Sequence, residues 1–86
     1  MKIPVQITLF ESEKQPSKVE MGTMLDFTEG MTASQMKNAV KTKIEGSGKI
    51  TVTGPVKLFL NRKELQDTDV LEFTDGGAYN CKIYKA

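Results

Sequence analysis

The chain has 86 residues, of which 38% are hydrophobic and 27% are charged, with a net charge of +1. This length allows one domain with a single core, and the composition is ordinary for a soluble globular protein. No run approaches the roughly 18 apolar residues of a membrane span, and the first residues lack the pattern of a signal peptide. Cys81 has no second cysteine with which to pair, so we expect an intracellular protein, cytoplasmic or otherwise, in a reducing compartment.

The charges are unevenly distributed along the chain. Residues 31–63 carry seven basic residues against Glu45 alone, whereas the segments before and after them are net acidic. Such a run is either a solvated helix face with its following loop or a basic surface for an acidic partner. Nucleic acid is disfavoured as a partner, because the chain is nearly neutral overall and no aromatic residues alternate with the lysines.

Two stretches near the N-terminus predict a β-hairpin. In KIPVQITLF (residues 2–10) apolar residues occupy every second position, which is typical of a half-buried strand. KVEMGTMLDFT (18–28) again places apolar residues on odd positions, and Gly22 within it indicates a bulge or bend. The polar segment ESEKQPS between them predicts a connection longer than the tightest hairpin turns.

The apolar period then changes to that of an amphipathic helix. Thr32 is the expected N-cap, and Gln35 three residues later completes a capping box. Met31 and Met36 are placed to form a hydrophobic staple across this end, and Gly46 is expected to end the helix in a left-handed conformation. The predicted core face consists of Met36, Ala39, Val40 and Ile44.

A loop and a strand are predicted after the helix. GSGKITVTGP (46–55) is typical of a loop with a short extended piece around residues 50–52. In VKLFL (56–60) the alternation directs Val56, Leu58 and Leu60 toward the core. Lys57 and Phe59 then point outward.

The remaining residues predict two turns and a last strand. NRKEL (61–65) indicates a turn into a brief strand around Leu65, and DTDVLEF (67–73) a short helical turn. Asp67 is the expected cap of that turn, with Val70 or Leu71 directed inward. In AYNCKIY (78–84) one face carries Tyr79, Cys81 and Ile83. The order of elements predicts an α+β fold, in which a mixed sheet of four to five strands packs on one helix as a β-grasp roll.

The residues of common catalytic sites are missing or poorly placed. Without histidine, a Ser-His triad, a Cys-His dyad and most zinc sites are unavailable. Cys81 is expected inside the core, and one cysteine cannot hold an iron–sulfur cluster. GSGK (46–49) lacks the first glycine and the Ser/Thr of a phosphate loop, and Asp67 and Asp69 are explained as turn caps. We expect no enzymatic activity, cofactor, metal or small-molecule substrate.

Several stretches resemble ubiquitin and its relatives. KNAVKTKI (37–44) is similar to the helix of ubiquitin, with Val40 and Ile44 at its core-facing positions. KLFLNRKELQD (57–67) resembles the third strand, turn and fourth strand, and DVLEFTDGGAYNCKIY (69–84) resembles the following turn and the final strand. The likeness covers nearly the whole chain, although the first hairpin is longer here. It implies a ubiquitin-like β-grasp domain whose function is to bind other proteins.

The pair Gly76-Gly77 bears on whether this chain is conjugated to other proteins. In conjugated relatives of ubiquitin the glycine pair lies beyond the last strand, on a flexible tail. Here the pair precedes the last predicted strand, and Asp75-Gly76-Gly77 is typical of a turn. Removing residues 78–86 would delete a central strand and leave two rows of backbone groups unpaired. We therefore expect a member of the non-conjugating type.

The resemblance also implies a binding surface. Ubiquitin presents an apolar patch built from its first loop, third strand and last strand. By position, Phe59 keeps the third-strand site apolar, but the last-strand sites fall on Asn80 and Lys82, and the first loop is ESEK. We expect generic ubiquitin receptors to bind poorly, and Phe59 either anchors a partner or packs on Tyr84 or a lysine stem. The predicted partner-binding residues on the sheet face are Phe59, Lys57, Arg62, Lys82 and Tyr84, and the basic helix face is a second candidate.

Three functions remain open at this point. The favoured one is a non-enzymatic ubiquitin-like protein–protein interaction domain or adaptor, either by itself or as the N-terminal domain of a longer chain. The second is a ubiquitin-like covalent modifier, which would require cleavage or an unorthodox C-terminus. The third is a Ras-binding-type domain, in which Lys18, Lys37, Lys41 and the edge of the second strand face an acidic surface.

Overall fold

A computed structural model describes residues 1–46, 48–73 and 79–86, with Pro16 described by its backbone alone. Its elements are β1 (Lys2–Ser12), β2 (Gln15–Asp26), α1 (Ala33–Glu45), β3 (Val56–Leu60), β4 (Lys63–Glu64) and β5 (Tyr79–Tyr84). The described strands form one mixed sheet in the order β2-β1-β5-β3-β4, in which only β1 and β5 run parallel. The predicted α+β β-grasp arrangement is confirmed, whereas the predicted Gly76-Gly77 turn lies outside the described residues.

The N-terminal hairpin is longer and more regular than predicted. Its ladder runs without interruption from Lys2 opposite Asp26 to Phe10 opposite Lys18. The bulge predicted at Gly22 is wrong, because the register passes straight through this residue and shifts instead between Phe10 and Ser12. The predicted long connection is also wrong, since both strands extend into the polar segment and leave a short turn.

The start of α1 is as predicted, but its end is not. The Gln35 N–H donates to Thr32 Oγ1 at 3.4 Å, and the Thr32 N–H donates to Gln35 Oε1 at 2.9 Å, which completes the capping box. Gly46 is right-handed, with φ −62°, because its N–H continues the helical pattern by donating to the Thr42 carbonyl at 2.8 Å. The left-handed residue is Gly48, at φ 75°, whose N–H donates to the Glu45 carbonyl.

The core lies between α1 and the inner face of the sheet. Alternation in β1 and β5 buries every odd residue from Ile3 to Leu9 and from Tyr79 to Ile83. From the helix, Ala33, Met36, Val40 and Ile44 are buried, while Ala39 is half-buried. Val19 remains 57% exposed although its odd position favoured burial, because the helix packs chiefly on β3 and β5.

The segment after β4 forms a turn rather than the predicted helical one. The Asp69 N–H donates to the Gln66 carbonyl, and the Gln66 N–H donates to Asp69 Oδ2 at 2.7 Å. Asp69 therefore caps the turn instead of Asp67, whose carboxylate pairs with Lys37. Leu71 is the residue directed inward, at 5% exposure.

Two shorter predictions in this half of the chain are also settled. The extended piece predicted around residues 50–52 is not a strand, although Val52 is buried. The brief strand predicted near Leu65 is β4, which ends one residue earlier. None of the helices in the described ranges is long and apolar enough to span a membrane.

Candidate functional site

The candidate site is the outer face of the sheet, which we define as the face opposite α1. Since β5 buries its odd residues and β3 buries Leu58, the outer residues of these two strands are those on the other parity. The antiparallel register places Lys57 opposite Lys82 and Phe59 opposite Asn80. Four of the five residues predicted to bind a partner thus lie together here, namely Lys57, Phe59, Lys82 and Tyr84.

Two lysines of this face lie over aromatic rings. Lys82 Nζ is 4.9 Å from the centroid of the Phe59 ring, and Lys57 Nζ is 5.7 Å from that of Tyr84. Directly opposed like charges destabilise a sheet, so the two ammonium groups relieve their repulsion by turning toward different rings. Each cation–π contact contributes about 0.5–1 kcal/mol at an exposed site. Phe59 therefore contacts the ammonium group of Lys82, whereas the sequence predicted packing on a lysine stem or on Tyr84.

Tyr84 has, besides Lys57, an aromatic neighbour that the sequence reasoning did not single out. Its ring stacks on that of Phe10, with centroids 4.8 Å apart and planes at 12°. The parallel register of β1 and β5 puts these residues side by side. The available signal was the even position of Phe10, which directs an aromatic side chain away from the core. This pair extends the aromatic part of the site across three strands.

A hollow of about 330 Å³ lies beside Phe59, lined by outer residues of the sheet, by the turn between β3 and β4, and by the buried Tyr79. Asn80 forms part of its floor. The buried Oδ1 of Asn80 receives no hydrogen bond from any described residue. Buried polar atoms are nearly always paired, so an unpaired acceptor at a hollow is a feature of the site rather than of the core. The lining is Gln6, Phe59, Asn61, Arg62, Tyr79, Asn80 and Lys82.

Arg62 lies at the rim of this hollow in a strained backbone conformation. Asn61 and Arg62 form the two-residue connection between β3 and β4, and both are left-handed, with φ 50° and 73°. Positive φ at both positions is typical of a type I′ turn, whose second residue is usually glycine. An arginine at that position costs about 1 kcal/mol relative to glycine. Strain of this kind tends to occur at functional positions.

The charge of the outer face is positive around the hollow. Lys57, Arg62 and Lys82 form no ion pair with any carboxylate of the described residues. The acid nearest in register is Glu64, opposite Phe59. Three cations beside half-buried aromatic rings can attract a carboxylate and cover an apolar side chain next to it.

The basic helix face, the second predicted surface, is partly occupied by contacts within the chain. Lys37 Nζ is 2.7 Å from Asp67 Oδ1, and the lysine side chain is only 17% exposed. Lys43 Nζ donates to the Met24 carbonyl at 3.4 Å. These lysines are therefore less available to a partner than those of the outer face.

Cys81 is buried, as predicted, and is poorly suited to nucleophilic chemistry. Its side chain is 0% exposed, and burial raises the pKa of its thiol to about 12, with Lys37 opposing the shift. The thiolate, which is the reactive form, is therefore scarce at neutral pH. Within the described ranges no group of three or more acidic, cysteine or histidine side chains is placed to hold a metal ion.

No protein-family model matches this chain, and no curated protein matches its sequence. The resemblance to ubiquitin therefore depends on the stretches quoted above and on the order of the elements.

Proposed function

We propose that this chain is a non-enzymatic, ubiquitin-like interaction domain that binds an acidic segment of another protein through the outer face of its sheet. The observation that carries the proposal is the arrangement of Lys57 over Tyr84 and Lys82 over Phe59, with no carboxylate of the described residues paired to either lysine. Arg62, held by its strained turn at the rim of the hollow, adds a third cation.

The site suits a segment in which an acidic residue adjoins an apolar one. The rings of Phe10, Phe59 and Tyr84 provide half-buried apolar surface, and aromatic residues are frequent anchors of protein interfaces. The ammonium groups of Lys57 and Lys82 are already held over two of these rings, so little side-chain freedom is lost when a carboxylate binds. Such charges mainly raise the association rate and the selectivity for acidic partners.

The position of β5 supports a domain that is not conjugated through its glycine pair. This strand lies between β1 and β3 and pairs with both, and it follows Gly76-Gly77 in the sequence. Cleavage after Gly77 would remove the strand and unpair its two neighbours. A denaturing purification of the tagged protein followed by intact-mass analysis should give one species, whereas a ladder with C-terminal isopeptide bonds would favour the covalent modifier.

The Ras-binding-type alternative receives less support from the geometry. Lys37 pairs with Asp67, just beyond β4, whereas Lys18 pairs with Glu20 on β2. These two strands are the opposite edges of the sheet, so the two lysines do not form one basic surface.

Selection from a displayed library of random peptides tests the proposed site. We expect enrichment of peptides with Asp or Glu next to an aromatic or aliphatic residue, and amide shift changes centred on Phe59, Lys82 and Tyr84. The double variant Lys57→Glu/Lys82→Glu should weaken binding by at least about tenfold, or ~1.4 kcal/mol. Lys41→Glu/Lys43→Glu is the matched control, because it changes the net charge by the same amount and both lysines belong to α1, on the other side of the sheet.

Two results would contradict the proposal. One is a set of enriched peptides without acidic residues, and the other is a set of shift changes that map to α1 instead of the sheet. Equal loss of binding in Lys41→Glu/Lys43→Glu would show that the effect follows net charge alone.

A further inference from the structure

The edge strand β2 has a second, independent feature that bears on interactions. It spans 12 residues and pairs with β1 on one side only, whereas the opposite edge strand β4 has two residues. An unpaired strand edge is a template for another strand, and native proteins usually protect it with prolines, bulges or very short strands. From Ser17 to Asp26, β2 contains no proline, and its register with β1 is continuous.

The direction in which the backbone groups of β2 point follows from a hydrogen bond at the end of its ladder with β1. The Phe27 N–H donates to the Met1 carbonyl at 2.6 Å, so these residues form a hydrogen-bonded pair of the antiparallel ladder. Such pairs recur at every second residue, which makes the odd residues of β2 bond to β1. Pro4, which has no N–H, agrees with this assignment because it lies opposite the even residue Met24.

The even residues of β2 therefore direct their N–H and carbonyl groups to the open edge. The contact of Lys43 Nζ with the Met24 carbonyl supports this direction, since the lysine comes from α1 and not from β1. Apart from that contact, the outward groups from Lys18 to Met24 have no partner strand in the described structure. The outward residues are Lys18, Glu20, Gly22, Met24 and Asp26.

We propose that β2 pairs with β2 of a second copy of this chain, antiparallel and about a two-fold axis at Gly22. In this register Lys18 lies opposite Asp26 of the second copy, Gly22 lies opposite its equivalent, and Glu20 lies opposite Met24. Both members of every such pair are even residues, so their outward backbone groups can bond to each other. No like charges are opposed.

Charge and shape make the edge complementary to itself in this register. The two Lys18–Asp26 pairs place opposite charges on each side of the axis. Gly22 has no side chain, so the two strands meet at the axis without a side-chain clash. Met24, which is 48% exposed, would be covered by the second copy.

Two other registers are less favourable. An axis at Glu20 would oppose two carboxylates directly. An axis at Val19 would face Lys18 with Glu20, but it would place Pro16, which lacks an N–H, in a hydrogen-bonding position and leave Met24 outside the interface.

Pairing about this axis has a structural consequence for the outer face. The two sheets become one continuous sheet with both helices on one side, so both outer faces lie side by side on the other. Strand pairing alone buries less than the roughly 1,200–2,000 Å² of a stable interface, so the dimer is weak and depends on concentration. Two adjacent sites would bind a repeated acidic segment with avidity. The pairing itself does not depend on the proposed function of the outer face.

Sedimentation measured from micromolar to millimolar concentration tests the pairing. The wild-type mass should rise from 9.6 kDa toward twice that value. Gly22→Pro removes an N–H that points away from β1, so it should stay monomeric while the hairpin persists. Gly22→Ala keeps that N–H and is the matched control, which should still dimerise.

A charge exchange keeps the proposal testable if Gly22→Pro fails to fold. Lys18→Glu should weaken the dimer by at least tenfold because it opposes Asp26, and Lys18→Glu/Asp26→Lys should restore most of the affinity. Amide exchange at Glu20 and Gly22 should slow as concentration rises. A mass that stays at 9.6 kDa up to millimolar concentration would overturn the proposal. Binding of an unrelated extended peptide along β2 of a monomer would assign the edge to that occupant instead.

Discussion

Alkaline pH should destabilise this protein through Cys81. The side chain is fully buried, and burial raises the pKa of the thiol from its ordinary 9.0 to about 12. The folded protein therefore keeps a proton that the unfolded chain releases above pH 9. The contribution of this group to stability is fully present below pH 9 and is lost as the pH rises toward 12.

The size of this loss of stability follows from the interval between the pKa values of the thiol in the unfolded and folded protein. Each pH unit between the two pKa values lowers the free energy of unfolding by about 1.4 kcal/mol, so the full interval is worth about 4 kcal/mol. At pH 10.5, about 1.5 units into it, the loss should be about 2 kcal/mol. This is a large part of the stability of a small domain, which is typically about 5–15 kcal/mol.

Urea unfolding of the wild type and of Cys81→Val, at pH 7.5 and pH 10.5 with reductant present, measures this effect. Valine is apolar, similar in size and has no proton to lose. Tyr79, whose pKa is also raised by burial, is present in both proteins, so the difference between the two pH dependences isolates the thiol. An equal alkaline loss of stability in both proteins would refute the reasoning. Rapid alkylation of folded wild type at pH 8 would do so as well, because it would show an accessible thiolate.

Four further substitutions test the fold around the site. Arg62→Gly should stabilise the protein by about 1 kcal/mol in thermal unfolding, because it relieves the left-handed strain. It should also weaken the binding of acidic peptides. Unchanged stability would argue against strain at this turn. Gly54→Ala would place a Cβ 2.5 Å from the Tyr84 carbonyl oxygen and should cost about 1–3 kcal/mol in urea unfolding. Gly22→Ala, with open space at its Cβ, should be neutral or stabilising, so equal losses in the two alanine variants would contradict the structure. Tyr79→Phe removes the hydroxyl that donates to the Glu72 carbonyl at 2.7 Å and should cost about 1–2 kcal/mol, and no loss would show that this hydrogen bond is dispensable.

Much of the secondary structure was predictable because it depends on neighbours within four residues. The capping box of Thr32 and Gln35 and the buried face of α1 both follow from such local spacing. The alternation in β5 likewise predicted that Cys81 would be buried, and its burial excludes most chemistry for the thiol. Two of the predictions that failed concern positions at which two local solutions differ little in free energy. Gly46 can end a helix in either conformation, and either Asp67 or Asp69 can cap the turn.

The candidate site shows the same division. Alternation alone placed Lys57 and Phe59 on one face of β3, and Lys82 and Tyr84 on one face of β5. Only the pairing of strands distant in sequence decided that Lys82 lies over Phe59 and that Phe10 stacks on Tyr84. Strand register is set by how the whole core is buried, and no local pattern contains that information. For the same reason the open edge of β2 became evident only in the assembled sheet.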